Sequence, residues 1–536
     1  MEAKQTASVM FREPDDGFDY LLLSDIHLGS DIVTHVRPWA ATSWLLQDAD
    51  IDAQLIGMFD HYRVNCAEGR RFRMVIAGDF LDLVGVSLTA SGEHVLTPPT
   101  REEQLHGLGS APDHVVQKVE AIAARHPNVF RALMRFLAAG HALVLVRGNH
   151  DIELHWRSAQ RALVRAIVGY APPDEQRELA QRIQICPWFY AVEGLLYVEH
   201  GHEFDPMCSY GDPLMPTCVR DSRRIRSTPF SVLLRHIARP TRGLSSAAYD
   251  YVGMGAYAVL LGNLGISGSA RIAVRYARAC YRLVSECFVR AVDGGRRRMQ
   301  RGAAQLRRFA GQTGVSLERL AALRALYVEP AVQSLNFIAR SLYLDRVFAL
   351  LFALAFAASA TLIGQYAGLT TGGLCAIPAV LLGGYACIGR GSNQGPQASM
   401  QRGAERIAAI FRARWVVMGH THRPTVTEVA PGASYVNLGC WGQDDPPDER
   451  MASHASPCTF FVIRRHGSEY VGELLSWDRE RGPLATKHAV ETTSPATPLT
   501  PGDRAQPARE LSLSAPRAVQ NACSLRSSRA SASSAG

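Results

Sequence analysis

Along the first two hundred residues, apolar positions gather in short unbroken runs with longer helical stretches between them. The runs lie at 20–24, 72–77, 142–146 and 195–199. Runs this short, without polar alternation, read as strands buried on both faces. The segments 43–62 and 115–139 carry helical periodicity between them. Strands alternating with helices predict an α/β layered fold with a buried sheet. The strand pattern resumes at 415–418, 434–438, 459–463 and 469–475. The second and third of these are expected to pair as an antiparallel closing sheet.

Residues from about 220 to 405 break this rhythm. Segments 271–290, 296–309 and 317–326 are arginine-rich with helical spacing, and 347–389 contains no charged residue. Two stretches of 20 residues, 347–366 and 369–388, would each be about 30 Å long as helices, the thickness of a bilayer core. Arg340, Arg346 and Arg390 flank the open end, as cytoplasmic flanks of a transmembrane hairpin would be. A buried helical pair in a large soluble insert is the other reading. The uncharged segment 251–270 is less apolar and reads as an interfacial or packed helix. The arginines of 271–308 are interleaved with apolar residues, which suits either a helix on anionic lipid or a solvated basic face.

The tail from 487 is rich in Ser, Ala, Pro and Arg without apolar periodicity, and disorder is expected there. The expected organisation is a first catalytic part over 1–219, a helical insert over 220–405 with the hairpin at 347–389, a closing part over 406–486, and the tail over 487–536.

Composition narrows the partners. The 536-residue chain carries a net charge of +8, almost all from arginine; lysine occurs only at Lys4, Lys118 and Lys487. A basic balance favours phosphates, nucleic acid or acidic lipid without choosing among them. The eleven cysteines include no C-x-x-C pair, so free thiols in a reducing compartment are expected. The first twenty residues carry Asp15, Asp16 and Asp19 and no apolar run. No secretory signal is therefore expected, and the soluble parts are placed in the cytoplasm.

Five polar motifs directly follow apolar runs: Ser24-Asp25-Ile26-His27, Gly78-Asp79-Phe80-Leu81-Asp82, Gly148-Asn149-His150-Asp151, Glu199-His200-Gly201-His202 and Gly419-His420-Thr421-His422. Open α/β sheets build their ligand sites at the carboxyl ends of strands. The Asp, His and Asn mixture suits two divalent ions of the Mn²⁺, Fe or Zn²⁺ kind. The i, i+2 spacing of Asp25/His27 and of His420/His422 suits extended segments with both side chains on one face. Neighbouring glycines would let the backbone turn and approach closely. His202 and Asp82 are weaker candidates. His202 would lie near substrate or simply be a core histidine. Asp82 would orient a ligand histidine or begin a helix.

The five motifs, in this order, resemble the signature of calcineurin-like metallophosphoesterases over roughly 18–205 and 410–476. The resemblance implies a four-layer α/β/β/α sandwich and a dinuclear metal site, with Mn²⁺ the favoured metal. Asp25, His27, Asp79 and His422 would hold one ion. Asp79, Asn149, His200 and His420 would hold the other, so that Asp79 bridges. His150 would be the cationic group beside the scissile phosphate, oriented by Asp151. The implied reaction is hydrolysis of a phosphodiester or pyrophosphate. Ser-Asp-Ile-His-Leu-Gly and Gly-His-Thr-His-Arg-Pro further resemble bacterial UDP-2,3-diacylglucosamine hydrolases of lipid A synthesis, which act on a lipid-linked nucleotide at the inner membrane. This chain departs from them in carrying His150 where they have Arg, and in its longer insert. A general nucleotide or cyclic-nucleotide phosphodiesterase, and a non-catalytic membrane scaffold, remain the alternatives. Nucleic acid is not the expected partner, since no separate basic platform is evident. The expected location is the bacterial inner membrane, multi-pass, with the catalytic domain cytoplasmic.

Overall fold

A computed structural model describes residues 11–12, 17–32, 41–89, 95–218, 220–240, 254–292, 295–335, 337–338, 395–442 and 458–486, with isolated positions between 355 and 359. The chain is mixed α/β, with two mixed sheets. A compact unit runs through Glu491.

Strands β1 (Phe11–Arg12), β2 (Phe18–Leu23), β3 (Arg71–Ala77), β4 (Ala142–Val146), β5 (Ile183–Cys186), β6 (Tyr190–Val192) and β7 (Leu196–Val198) come from the first part of the chain. The last part gives β8 (Trp415–Met418), β9 (Thr425–Ala430), β10 (Ala433–Asn437), β11 (Thr459–His466), β12 (Glu469–Asp478) and β13 (Gly482–Ala485). One sheet has the order β13-β12-β11-β2-β3-β4-β5, the other β1-β6-β7-β8-β10-β9. Strands β2, β3, β4 and β5 are mutually parallel, as are β7, β8 and β10.

The pleat sorts the apolar runs between cores. Leu21, Leu23, Met74, Ile76, Leu143 and Leu145 pack with helices α1 (Ala41–Val64), α3 (Pro112–Arg125), α4 (Pro127–Ala138), α5 (Arg157–Val168) and α6 (Gln176–Gln181), while the short α2 (Arg101–His106) contributes no residue to this core. Their alternates Tyr20, Leu22, Val75, Ala77, Val144 and Val146 share a second core with Tyr190, Leu196, Val198, Val417 and Val436 of the other sheet. Tyr197, Val416, Met418 and Tyr435 face a third core. Complete burial of both faces explains why the runs show no polar alternation.

The middle of the chain gives α7 (Pro229–Leu233) with a π-helical turn at Leu234–Ala238, then α8 (Met254–Val292), α9 (Gly295–Thr313), α10 (Leu317–Arg324) and α11 (Pro396–Phe411). The expected helices at 271–290, 296–309 and 317–326 are present. The segment 251–270 belongs to α8 from Met254 onward, continuous with the arginine-rich part. The hairpin expected at 347–389 and the tail at 487–536 lie outside the described residues. No helix among the described residues is long and apolar enough to cross a membrane.

Three expectations need correction. The stretch 115–139 is two helices, because Pro127 has no N–H to continue α3 and restricts His126, which sits at φ −118° and ψ 47°. Strands β10 and β11 belong to different sheets. Tyr435 and Val436 are buried on opposite faces, which suits β10 to its place between β8 and β9. The antiparallel partners of β11 are β12 and β2. Finally, a boundary between 405 and 406 cuts through α11, whose Met400, Ala404, Ile407 and Phe411 form one face of the third core.

Candidate metal centre

The five motifs leave β2, β3 and β4 of one sheet and β7 and β8 of the other, all at carboxyl ends. Each is held on its neighbours by backbone bonds. The N–H groups of Ile26 and His27 donate to the carbonyl of Asp79, and Gly419 N–H donates to the carbonyl of His200. Asp25, His27, Asp79, His420 and His422 have left-handed backbones, with φ of 55°, 55°, 53°, 69° and 56°. Non-glycine residues rarely adopt this region, and it concentrates at functional sites. Asp25/His27 and His420/His422 therefore do not lie on extended strands as expected. Their side chains converge because both loops coil after the strand ends.

Six of the seven expected ligands meet directly, while the His420 ring stands 5.2 Å from that of His200 and its ligand atoms group with Asp205 and Cys208. His422 Nε2 lies 3.2 Å from Asp25 Oδ1, with His27 Nε2 at 3.8 Å and His200 Nε2 at 4.0 Å from the same oxygen. His200 Nε2 is also 3.1 Å from Asp79 Oδ2 and 2.9 Å from Asn149 Oδ1. Asp79 belongs to two groups of ligand atoms that each fall within 4.8 Å, one with Asp25 and His200, the other with His27 and His150. This is the placement a bridging carboxylate requires.

The donor set fits a divalent cation. His200 Nδ1 lies 2.9 Å from the carbonyl of Ala77, a contact that needs the proton on Nδ1. In the neutral ring, Nε2 then turns a lone pair toward oxygens of Asp79 and Asn149. Such a cluster of lone pairs is repulsive until a proton or a metal joins it. Burial opposes charge on His200, but Asp79 and Asp25 outweigh it and raise the imidazole to about 9. Burial likewise opposes ionisation of Asp25, yet His200 and His422 hold it well below the usual carboxylate range. His27 is the complement. Burial and the neighbouring His150 press it down to about 3, and neither ring nitrogen has a hydrogen-bond partner.

His150 stands 4.4 Å from His27, ring centre to ring centre. Its Nδ1 lies 2.6 Å from Asp82 Oδ1. Asp82, not Asp151, therefore orients this ring. The Asp151 carboxylate instead accepts the N–H groups of Gly148 at 2.6 Å and Phe80 at 3.0 Å, tying two motif loops together. A carboxylate one residue from His150 cannot reach its ring while serving those backbone donors. Asp82 does not begin a helix; it sits in a turn, accepting Gly85 N–H at 2.9 Å.

Several contributors escaped the sequence reading. Asp205 Oδ2 is 3.1 Å from His420 Nε2. A proton shared there would leave His420 Nδ1 as the candidate ligand atom. Asn437 donates to the carbonyl of Gly419 at 2.7 Å and to Thr421 Oγ1 at 3.0 Å, bracing the last motif. Cys440 groups with His27 and His422 within 4.8 Å, while its thiol lies 3.2 Å from the carbonyl of Asp25. Parallel pairing of β10 with β8 brings its carboxyl end here, a signal the strand-end rule would have caught. Arg223 and Arg224 are engaged elsewhere, by Asp221 and, for Arg224, also Glu103. His202 is buried with neither ring nitrogen hydrogen-bonded. It lines a cavity of about 10 Å³ behind His200, with Arg147, Glu199 and Glu203, room for about one water molecule.

No protein-family model matches the chain, and no curated protein matches it as a relative.

Proposed function

We propose that the chain is a dinuclear-metal phosphoesterase with the calcineurin-like α/β/β/α architecture, hydrolysing a phosphodiester or pyrophosphate bond. The observation that carries this reading is the Asp79 carboxylate, buried and shared between two groups of metal-competent side chains. Asp25, His27, Asp79 and His422 would hold one ion, and Asp79, Asn149, His200 and His420 the other, with Mn²⁺ the favoured metal. Bound there, two divalent cations would polarise phosphoryl oxygens and acidify water.

The chain's own residues supply the rest. Asp82 fixes the His150 ring through Nδ1, which leaves Nε2 to meet the phosphate or to protonate the departing oxygen. Phe230 packs 5.1 Å from that ring, which is buried. Asp151 and Asn437 hold the loops so that ligands need not reorganise when substrate arrives. His27 and His422 are the partly exposed members of the set, so substrate approaches from their side. Membrane attachment at the inner membrane, and a lipid-linked nucleotide such as UDP-2,3-diacylglucosamine as substrate, are proposed from the uncharged run at 347–389 and the two quoted motifs.

The deciding experiment measures metal content and Mn²⁺-dependent hydrolysis in detergent-solubilised protein, with Asp79→Asn as blank. Two ions per chain and release of UMP from UDP-2,3-diacylglucosamine above the blank are expected. Cleavage of a generic phosphodiester without UMP release would retain the chemistry and reject that substrate. A chain that holds no metal and cleaves neither compound would overturn the reading.

A further inference from the structure

We infer that Arg239, at the end of the π-helical turn that opens the insert, is a positioning residue for His150 acting through Asp82. This rests on the phosphoesterase reading for its catalytic meaning, but the geometry stands by itself. The Asp82 carboxylate is completely buried. Its Oδ1 takes His150 Nδ1 and the N–H of Gly85. Its Oδ2 is bonded by the Arg239 guanidinium, which also donates to the carbonyl of Ser30, just past the first motif. A relay thus runs from the insert through Asp82 to the ring.

The physical need is plain. A buried carboxylate without a cationic partner gives up its charge or its position. With the guanidinium on Oδ2, Asp82 keeps Oδ1 as a charged acceptor for one ring nitrogen, and the other nitrogen keeps a fixed direction. Lysine would supply the charge but not the fork that spans Oδ2 and the Ser30 carbonyl.

The surroundings are built around the pair. A Cβ on Gly85 would collide with both Asp82 Oδ2 and Arg239 Nη2, so glycine leaves the room they occupy. The turn itself is pinned at other points. Arg235 donates to the carbonyl of Gly107 at 2.8 Å, and His236 lies 3.4 Å from Glu102. Val84 beyond the second motif and Ile152 beyond the third share an apolar cluster with Leu234 and Ala238 of the turn, with Phe230 packed against it. Single π-helical turns recur at functional sites, where they redirect a side chain without ending a helix. The insert's first segment is therefore part of the catalytic unit rather than an appendage to it.

The test uses the full chain with Arg239→Ala, Arg239→Gln and Arg239→Lys. With Mn²⁺ and bis(p-nitrophenyl) phosphate, Ala and Gln should lower kcat about 10–100-fold, with KM and bound metal little changed, and Lys should recover part of the loss. The second readout needs neither metal nor turnover. In stripped protein, the downfield proton resonance of His150 Nδ1, assigned by its loss in His150→Asn, should vanish or shift in Ala and Gln and persist in Lys. If Ala does not fold, the contrast between Gln and Lys carries the test. Unchanged kcat with an unmoved resonance would overturn the inference. A moved resonance in a protein that cleaves no phosphoester would keep the positioning role and reject the proposed reaction.

Discussion

A methyl group on Gly78 would stand 2.5 Å from Nδ1 of His200, on a backbone held at φ +90°. Gly194 also has a positive φ, +73°, but nothing lies within 4 Å of its would-be Cβ. Alanine at either position incurs a backbone penalty of about 1 kcal/mol. Only at Gly78 must a candidate ligand, His200, move. Gly78→Ala should lower bound metal and turnover about 10–100-fold, whereas Gly194→Ala should bind metal as the wild type does; metal analysis of the two checks this. Glu199 offers a second test at this scale. Burial pushes its carboxyl from the ordinary 4.5 up to about 8, although Tyr327 donates to it at 2.6 Å. The folded state thus holds a proton that the unfolded state releases. Stability is fully present below pH 4.5 and is lost as pH rises toward 8, at up to roughly 1.4 kcal/mol per pH unit. In metal-stripped protein, Glu199→Gln should match the wild-type melting temperature near pH 5 and exceed it near pH 8. Parallel melting curves across that range would refute the shift.

Between elements, a buried lysine of α3 reaches the loops that follow two of the motifs. Lys118 Nζ donates to Glu153 Oε2 at 2.9 Å and to the carbonyl of Leu83 at 2.8 Å, so it joins the segments that follow the second and third motifs. Removing one partner of a buried pair leaves the other charge stranded, at a cost of about 3–5 kcal/mol. Lys118→Met should show that loss in urea unfolding, and Lys118→Met with Glu153→Met should recover a good part of it. Strictly additive losses would mean the two do not form one network. The sequence could not show this contact, because a lysine on an amphipathic helix ordinarily points to water. It did show where the strands end. An apolar run buried on both faces has sharp polar borders, and the motifs sit on those borders. It did not show which sheet each strand joins, since burial on both faces leaves no mark of the neighbour. Nor could it tell Asp82 from Asp151 as the partner of His150. That choice depends on which backbone donors claim Asp151 first, and one of them, Phe80, lies 71 residues away along the chain.

At the scale of the molecule, the site exists only where two sheets meet. Asp25, His27, Asp79 and Asn149 come from one sheet, while His200, His420 and His422 come from the other. The side chains between the sheets, Val75, Ala77, Val146, Val198 and Val417, are apolar and buried. Packing of that core sets the distance between the two halves of the candidate ligand set. An unfolded chain has no such arrangement, so cations should bind the native state preferentially and stabilise it by mass action, about 2.7 kcal/mol at a hundredfold excess over Kd. Stripped protein titrated with Mn²⁺ should therefore melt at rising temperature with a saturable dose dependence. His422→Ala should weaken that response in part, because Asp25 and His27 still face each other. Asp79→Asn should remove most of it, because both groups of ligands share that carboxylate. If His422→Ala and Asp79→Asn lost the response equally, the two ions would have to bind as one cooperative unit. If neither lost it, the stabilising cation would lie elsewhere on the chain. Equal melting temperatures with and without Mn²⁺ in the wild type would separate the convergence of these side chains from metal binding altogether, and would leave His200, drawn toward positive charge by Asp79 and Asp25, as the cation that holds the two sheets' loops together.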